Sequence, residues 1–201
     1  MTDHFKEKAQ EWDQKEGSKE RAAAITKAIK ERISFDSDSI LMDFGAGTGL
    51  LSKPFVPKVK KIIAVDTSEA MLDQLREKPI FQDKLETVSR NIVTDPLDVK
   101  VDIVISSMSM HHVKNVDGLI GQFARLLASG GQIALADLDK EDGSFHDEGT
   151  EGVHHHGFDR AELQSLLEKH GFKDIKFTTV YTMTNDDGKE FPIFLLTAAK
   201  K

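Results

Sequence analysis

Apolar residues along the chain form short runs, and these runs alternate with segments in which apolar residues recur every three or four positions. Short apolar runs are typical of strands buried on both faces of a parallel sheet. Such strands are predicted from residue 40 and over residues 59–65, 85–89, 101–107 and 132–136. Helical spacing predicts helices over 20–33, after Ser68 and over 116–127, with Gly130 and Gly131 ending the last. This alternation predicts an α/β fold.

The C-terminal part of the chain adds one more helix and a hairpin. Asp159 and Glu162 have the spacing of a capping box, and Gly171 is placed to close the helix that they begin. Strands are predicted over residues 173–182 and 191–199, and a turn is predicted between them over residues 185–188. The chain therefore ends in an antiparallel pair.

A stretch without convincing periodicity separates the fifth strand from this last helix. Residues 137–158 contain four glycines, four histidines and many acids. A loop of this length inside a compact domain is usually functional. We expect 137–158 to be a long active-site loop.

Glycines at alternate positions follow the first strand and predict a ligand-binding turn. Asp43 is followed by Gly45, Gly47 and Gly49, where glycine allows close backbone approach and positive φ. A dinucleotide fold requires G-x-G-x-x-G, whose third glycine would fall on Leu50. The acid two residues before the first glycine suits a cationic ligand better than a pyrophosphate.

A second acid ends the next predicted strand. Asp66 lies about 20 residues after the glycine turn, where doubly wound folds bring a carboxylate to ribose hydroxyls. A ribose with a positively charged neighbour describes S-adenosyl-L-methionine (SAM).

Residues 43–49 and 65–72 together resemble the class I SAM-dependent methyltransferases. Residues 139–146 and 153–159 of the long loop resemble a type 11/12-like bacterial subgroup of them, with no assigned substrate. The resemblance extends roughly from Phe5 to Ala199. It implies a single domain over 1–201 with a Rossmann-like three-layer α/β sandwich. The expected sheet is mostly parallel and seven-stranded, in the order 3-2-1-4-5-7-6, with the last strand antiparallel.

The resemblance also assigns the cofactor contacts. Asp66 would bind the ribose hydroxyls, and Asp43 would favour the cationic end of the donor. Asp43 could instead only support the turn, Met71 could be core and Asn91 an ordinary turn residue. The full set of expected contacts is Trp12, Asp43, Gly45, Ala46, Gly47, Thr48, Gly49, Asp66, Thr67, Met71, Asn91, Ile92, Ser106, Ser107 and Met108.

The first 20 residues are polar, with Phe5 and Trp12 as their only large apolar anchors. They could form a solvated helix or a loosely held arm. The resemblance favours a flap that covers the cofactor.

Histidines are concentrated at two places: His111 and His112 after the fourth strand, and His146 and His154–His156 on the long loop. Imidazole titrates near neutral pH, so one histidine could act as a base or orient an acceptor. We assign this role to His111 and His155. Several histidines with Asp137 or Asp139 could instead bind a metal ion, and the loop histidines could simply be solvated. The spacing is not distinctive for metal ligands, and we assign none.

The composition excludes several kinds of chemistry and disfavours some partners. The 201 residues include no cysteine, which excludes disulfides, thiolate catalysis and thiolate metal sites. No apolar run approaches the roughly 20 residues of a membrane span, and the N-terminus has no apolar signal core, so we expect a cytoplasmic protein without a membrane partner. A formal charge of −7 disfavours a nucleic-acid partner.

The function predicted from the sequence is SAM-dependent transfer of a methyl group to a small-molecule acceptor by in-line displacement, with S-adenosyl-L-homocysteine (SAH) as product. One alternative is a cofactor-binding accessory or regulatory protein that transfers no methyl group. A second is an NAD-dependent dehydrogenase. The sequence does not predict the acceptor or the oligomeric state.

Overall fold

A computed structural model describes residue 9 and residues 11–14, 16–146 and 149–201. The other positions, which include Phe5 and half of the expected flap (residues 1–20), lie outside the described residues. The strands are β1 (Ile40–Phe44), β2 (Lys61–Asp66), β3 (Leu85–Ser89), β4 (Val101–Ser107), β5 (Leu127–Leu138), β6 (Phe172–Thr184) and β7 (Glu190–Lys200). The α-helices are α1 (Glu16–Arg32), α2 (Glu69–Arg76), α3 (Val116–Leu126) and α4 (Arg160–Lys169). Short 3₁₀ helices cover Trp12–Gln14, Lys53–Lys58, Pro79–Phe81 and Met110–His112.

All seven of these strands belong to one sheet with the order β3-β2-β1-β4-β5-β7-β6. Strands β1 to β5 pair in parallel. Strand β7 lies between β5 and β6 and is antiparallel to both. The predicted strand order and the antiparallel last strand are therefore confirmed.

The sheet has an apolar core on each face, because successive side chains of a strand point to opposite sides. In β1, Leu41 joins the core that α1 and α2 cover, whereas Met42 joins the core under α3 and α4, and both side chains are fully buried. Central parallel strands must be apolar on both faces to be covered in this way. The expected three-layer sandwich is confirmed.

Local signals in the sequence set several element boundaries as predicted. The Ser68 hydroxyl accepts a hydrogen bond from Met71 N and caps α2. The Asp159 carboxylate accepts from the backbone N–H groups of Ala161 and Glu162 and caps α4. Gly188 N donates to Asn185 O and closes the turn between β6 and β7.

The predicted end of α3 is wrong. The helix stops at Leu126, and β5 begins at Leu127, so Gly130 and Gly131 lie inside a strand instead of ending a helix. A Cβ on Gly131 would lie 3.0 Å from Asp102 O of the neighbouring strand, and the β4–β5 register shifts between Val101 and Ile103. Glycine is needed here for close approach between strands.

Strand β5 also extends further than predicted at its other end. It includes Asp137 and Leu138, so the long loop begins at Asp139. Asp139 forms an isolated parallel bridge with Phe158, which holds the two ends of the loop together. Within the described residues, no helix has the length and apolar character required to cross a membrane.

Candidate active site

A cavity of about 1190 Å³ opens at the carboxyl ends of β1, β2 and β4. Ligands of open α/β sheets bind at this edge, where the strand order reverses. Its walls also include residues of α1 and of the loop that follows β5. The strand topology therefore brings the glycine turn, the strand-end acids and the histidines to one cavity.

The glycine turn after β1 requires residues without side chains at two positions. Gly45 and Gly47 have φ values of +67° and +53°, which side chains rarely allow. A Cβ on Gly45 would lie 2.0 Å from the Ser109 hydroxyl oxygen. A Cβ on Gly47 would meet no atom within 4 Å, so the backbone of Gly47 faces open space in the cavity.

Asp66 fixes the position of this turn. One carboxylate oxygen accepts from Gly47 N at 2.7 Å, and the other accepts from Ser68 N at 2.9 Å. These bonds join the turn after β1 to the end of β2 and orient the carboxylate at the cavity wall. A carboxylate has about four acceptor sites, so it can receive ligand hydroxyls while it keeps both bonds.

Asp43 is the most unusual acid of the site. Its side chain is buried, with 1% of its surface exposed, and within the described part of the chain no group donates a hydrogen bond to its Oδ2. Burial, with a smaller contribution from the negative charge of Asp66, raises the pKa of the Asp43 carboxyl to about 7, although hydrogen bonds from Ser52 act in the opposite direction. A buried carboxylate oxygen without a donor is costly unless a ligand supplies one. A cationic group in the cavity would supply such a partner.

The end of β4 forms the opposite wall. Met108 has a φ of +54°, which is strained for a residue with a side chain, and its N–H donates to Ala136 O at 2.9 Å. The Ser109 hydroxyl lies within hydrogen-bond distance of Gly45 O (3.3 Å) and Ser107 O (3.0 Å). The segment after β4 is thereby attached to the glycine turn.

The N-terminal segment is attached to the same turn. Trp12 lines the cavity. The next residue, Asp13, accepts a hydrogen bond from the Thr48 hydroxyl and forms an ion pair with Lys78. The Lys78 ammonium also donates to Thr48 O at 2.6 Å. These contacts place the 3₁₀ turn Trp12–Gln14 beside the site.

His111 lies at the other end of the cavity and is almost completely buried. Its Nδ1 is 2.6 Å from Asp137 Oδ1. Backbone N–H groups of Met110 and Leu138 donate to the same carboxylate, so Asp137 is the acceptor and His111 Nδ1 carries the proton. The His111 Nε2 is therefore unprotonated in the neutral ring, and it lies 3.3 Å from His146 Nε2.

His112 is held in the same tautomer by a different group. Its Nδ1 lies 2.8 Å from Gly152 O, which can only accept, so Nδ1 carries the proton. Burial, and next the proximity of His111, lowers the pKa of His112 to about 4. Burial and His111 also lower the pKa of His146. Both imidazoles are accordingly neutral at pH 7.

Most of the residues expected from the sequence meet at this cavity. Those that line it are Trp12, Asp43, Gly45, Ala46, Gly47, Thr48, Asp66, Thr67, Met71, Asn91, Ser107, Met108 and His111.

Four expected residues are not part of the lining. A Cβ on Gly49 would lie 2.4 Å from a Leu75 methyl, so this glycine allows close packing. Ile92 is fully buried in the core. The Ser106 hydroxyl donates to Phe44 O, and His155 Nε2 donates to Val113 O.

Arg21 is a lining residue that the sequence did not single out. Its guanidinium reaches Met183 Sδ at 3.3 Å, and burial lowers its pKa. An arginine in a mostly polar helix resembles a solvated residue, and the sequence has no signal that distinguishes it. Ser109, Phe145 and Gly152 also line the cavity.

Comparison with known proteins identifies the family. A family model described as "Methyltransferase domain" matches residues 16–176, which is most of the chain. A protein named as an uncharacterized methyltransferase from a Geobacillus species is 28% identical over 78% of this chain and 78% of its own length. A Schizosaccharomyces pombe protein of the same description is 31% identical over 58% of this chain, which corresponds to 47% of the relative.

Solved structures share the fold at low sequence identity. A chain from the complex with the Haloferax volcanii Trm112 methyltransferase activator has a TM-score of 0.82 at 18% identity, over 99% of this chain and 98% of that one. The N-methyltransferase NodS from Bradyrhizobium japonicum, solved with SAH, has a TM-score of 0.71 at 12% identity. The match covers 94% of this chain and 89% of NodS.

The chain belongs to the methyltransferase-domain family. The expectation of a SAM-dependent methyltransferase with SAM as its cofactor is confirmed. The family also disfavours the dehydrogenase alternative, in agreement with Leu50 at the position of the third dinucleotide glycine.

The raised pKa of Asp43 predicts pH-dependent binding of SAM. A cation beside Asp43 favours the ionised carboxylate, so SAM binding releases a proton below pH 7 and becomes tighter as the pH rises. For a carboxyl with a pKa of about 7, the affinity should increase about tenfold between pH 6 and pH 8. Calorimetric titration with SAM at several pH values measures this increase.

The Asp43→Asn variant should bind SAM more weakly and lose this pH dependence. The exposed Asp187, changed to Asn, is the matched control and should behave like the wild type. An affinity in the wild type that does not change with pH, or an undiminished pH dependence in Asp43→Asn, would contradict the role of Asp43.

Trp12 is the only tryptophan and reports on the N-terminal segment. If this segment covers the bound cofactor, saturating SAM should change the Trp12 emission. The change should be smaller in Asp13→Ala, which loses the contacts to Thr48 and Lys78, than in Glu11→Ala, a control in the same segment. Unchanged wild-type emission at saturation would argue against a flap.

Proposed function

We propose that this methyltransferase transfers the methyl group of SAM to a small-molecule acceptor. The observation that carries the proposal is one continuous cavity, lined by Asp43 and Asp66 beside β1 and β2 and by His111 beside β4 and β5. Its volume of about 1190 Å³ exceeds the roughly 300–1,000 Å³ typical of a site for one small ligand. There is thus space for an acceptor beside the cofactor.

The acids and the glycine turn hold the cofactor in this proposal. Asp66 receives the ribose hydroxyls, in charge-assisted hydrogen bonds. Asp43 pairs with the cationic methionine end, which supplies a partner for its Oδ2, an atom to which none of the described residues donates. The open space at Gly47 lets the cofactor approach the backbone. Thr67, Met71 and Asn91, which line the wall beyond Asp66, flank the nucleoside.

The histidine end receives the acceptor. His111 is oriented by Asp137, so its unprotonated Nε2 is fixed toward the neighbouring rings and the cavity. His111 therefore orients the acceptor in this proposal. His155 is the other histidine that we expected to act as a base or to orient the acceptor. Its Nε2 donates a hydrogen bond to Val113 O, so we give it no part in catalysis.

Methyl transfer requires positioning more than proton transfer. The acceptor lone pair forms a bond to the methyl carbon while the carbon–sulfur bond breaks, and the sulfonium becomes the neutral thioether of SAH. Because the donor is already activated, the protein contributes alignment and exclusion of water. Trp12 lines one side of the cavity and Phe145 and His146 line another, so two covering segments are available to exclude water.

These covering segments also favour a small acceptor over a macromolecule. The N-terminal segment is attached to the glycine turn through Asp13, and the loop after β5 is attached at its base by a two-bond ion pair between Arg160 and Asp139. The acidic balance of the chain further disfavours nucleic acid. The related malonyl-[acyl-carrier protein] O-methyltransferase and NodS, an N-methyltransferase, have names that specify different acceptor atoms, so the atom must be found by experiment.

Transfer from radiolabelled SAM tests the proposal. The protein is incubated with a cell extract of its source organism, divided by filtration into small-molecule and macromolecular fractions. We expect label in a small molecule with the wild type and none with Asp66→Ala, because that variant loses the ribose-binding carboxylate. Label found only in macromolecules would contradict the small acceptor. SAM binding without transfer to either fraction would favour the accessory-protein alternative.

A further inference from the structure

We propose that His111, His112 and His146 form a binding site for a divalent transition-metal ion of the zinc class. One ring nitrogen from each residue lies within 4.8 Å of those of the other two. These three residues are set apart from the Asp43–Asp66 end of the cavity and line its acceptor end. The three rings would need to rotate so that their nitrogens meet one ion at the usual zinc–nitrogen distance of about 2.0–2.1 Å.

His111 has the surroundings of a metal-ligating histidine. Its ring is 1% exposed, and its Nδ1 donates to the fully buried carboxylate of Asp137. A carboxylate behind the imidazole fixes the tautomer and makes the other nitrogen a better ligand. Asp137 is itself held by backbone N–H groups of Met110 and Leu138. The Nε2 of His111 is therefore aimed at the cluster by a buried network.

His112 has an equivalent arrangement. Its Nδ1 donates to Gly152 O, and a backbone carbonyl is another common partner of a metal-ligating histidine. The rings of His111 and His112 have centroids 4.2 Å apart, so adjacent residues of one 3₁₀ turn present two imidazoles to the same place.

The loop after β5 brings the third imidazole. Glu141 accepts from the backbone N–H groups of Gly143 and Phe145, and the Phe145 ring packs edge-on against Phe191 at 5.3 Å. The His146 ring that follows lies 5.2 Å from that of His111. The third ligand is thus positioned by an anchored aromatic neighbour.

The donor set decides which ions fit. Three imidazole nitrogens suit zinc, cobalt, nickel and copper, whereas magnesium and calcium prefer oxygen ligands. Three protein ligands also leave a tetrahedral position for a ligand from the cavity, as in catalytic zinc sites. The role of the ion in the reaction rests on the proposed function: His111 would then orient the acceptor through the ion, which would hold the acceptor heteroatom at this position. An acceptor that carries a proton would release it to solvent before its lone pair attacks the methyl carbon. Binding of the ion itself does not depend on that role.

The competing explanation is a hydrogen bond between neutral rings. Because His111 Nδ1 donates to Asp137, its Nε2 could accept a hydrogen bond from His146 Nε2–H at 3.3 Å. This pair would need no metal and no contribution from His112. The two explanations differ in whether the protein binds one ion per chain through all three residues.

Titration of untagged, EDTA-treated protein with Co²⁺ tests the proposal through the visible absorption of the bound ion, and competition with Zn²⁺ gives the zinc affinity. We expect one site per chain, with d–d bands typical of tetrahedral cobalt. His146→Ala should bind at least about tenfold more weakly, and Asp137→Asn about 10–100-fold more weakly. His156→Ala, on the same loop with its ring largely exposed, is the matched control and should bind like the wild type.

The affinity for SAM, measured on the same samples, separates this proposal from the proposed function. The circular dichroism spectrum of His146→Ala, compared with that of the wild type, shows whether the variant is folded. Absence of stoichiometric Co²⁺ and Zn²⁺ binding in a wild type that binds SAM would overturn the metal site and leave the methyltransferase proposal intact. An equal decrease of the Co²⁺ affinity in His146→Ala and His156→Ala would also overturn the metal site.

Discussion

The hydrogen bond from Gly47 N to Asp66 joins the two strand ends on which the whole site depends. It connects the turn after β1 to the end of β2 at 2.7 Å, and the same carboxylate accepts from Ser68 N at the start of α2. The turn can follow this path because Gly45 and Gly47 have positive φ. Once the turn is fixed, Asp43 is enclosed beneath it with one oxygen unpartnered by any described group. The path of the glycine turn and the burial of the Asp43 carboxyl therefore depend on the same hydrogen bonds to Asp66.

Two further segments are attached to this centre from outside the parallel core. Asp13 connects the N-terminal turn to Thr48 and Lys78, and Ser109 connects the end of β4 to Gly45. Asp137 in β5 orients His111 and so fixes the position of this imidazole in the cavity wall. The cavity is consequently a product of the strand order, which places β1 between β2 and β4.

The parts of the structure that follow from short-range patterns were predictable from the sequence. Buried strands are apolar on both faces, and caps such as Ser68 and Asp159 are local, so strands and helix starts were found. The acids Asp43 and Asp66 were recognised because their spacing from the glycines has a direct chemical meaning. The end of α3 was missed, because Gly131 is required by contact with Asp102 in another strand, and that contact is not visible in the sequence.

The histidine cluster could not be predicted for the same reason. His146 is 35 residues from His111, and their meeting depends on the path of the loop after β5. His155 appeared equivalent to His111 in the sequence, but it faces Val113 O. Likewise Arg21 has no local signal of burial. The sequence predicted the glycine turn and the strand-end acids in more detail than the histidine wall, because a turn motif is local and the histidine wall is assembled from distant segments.

The most direct measurement is a crystal structure of the protein soaked with SAM. The account predicts that the cationic methionine end lies within hydrogen-bond or ion-pair distance of Asp43 Oδ2, with both ribose hydroxyls on Asp66 and the backbone of Gly47 against the ligand. A crevice that stays empty, or one filled by the protein's own side chains while SAM binds elsewhere, would contradict it.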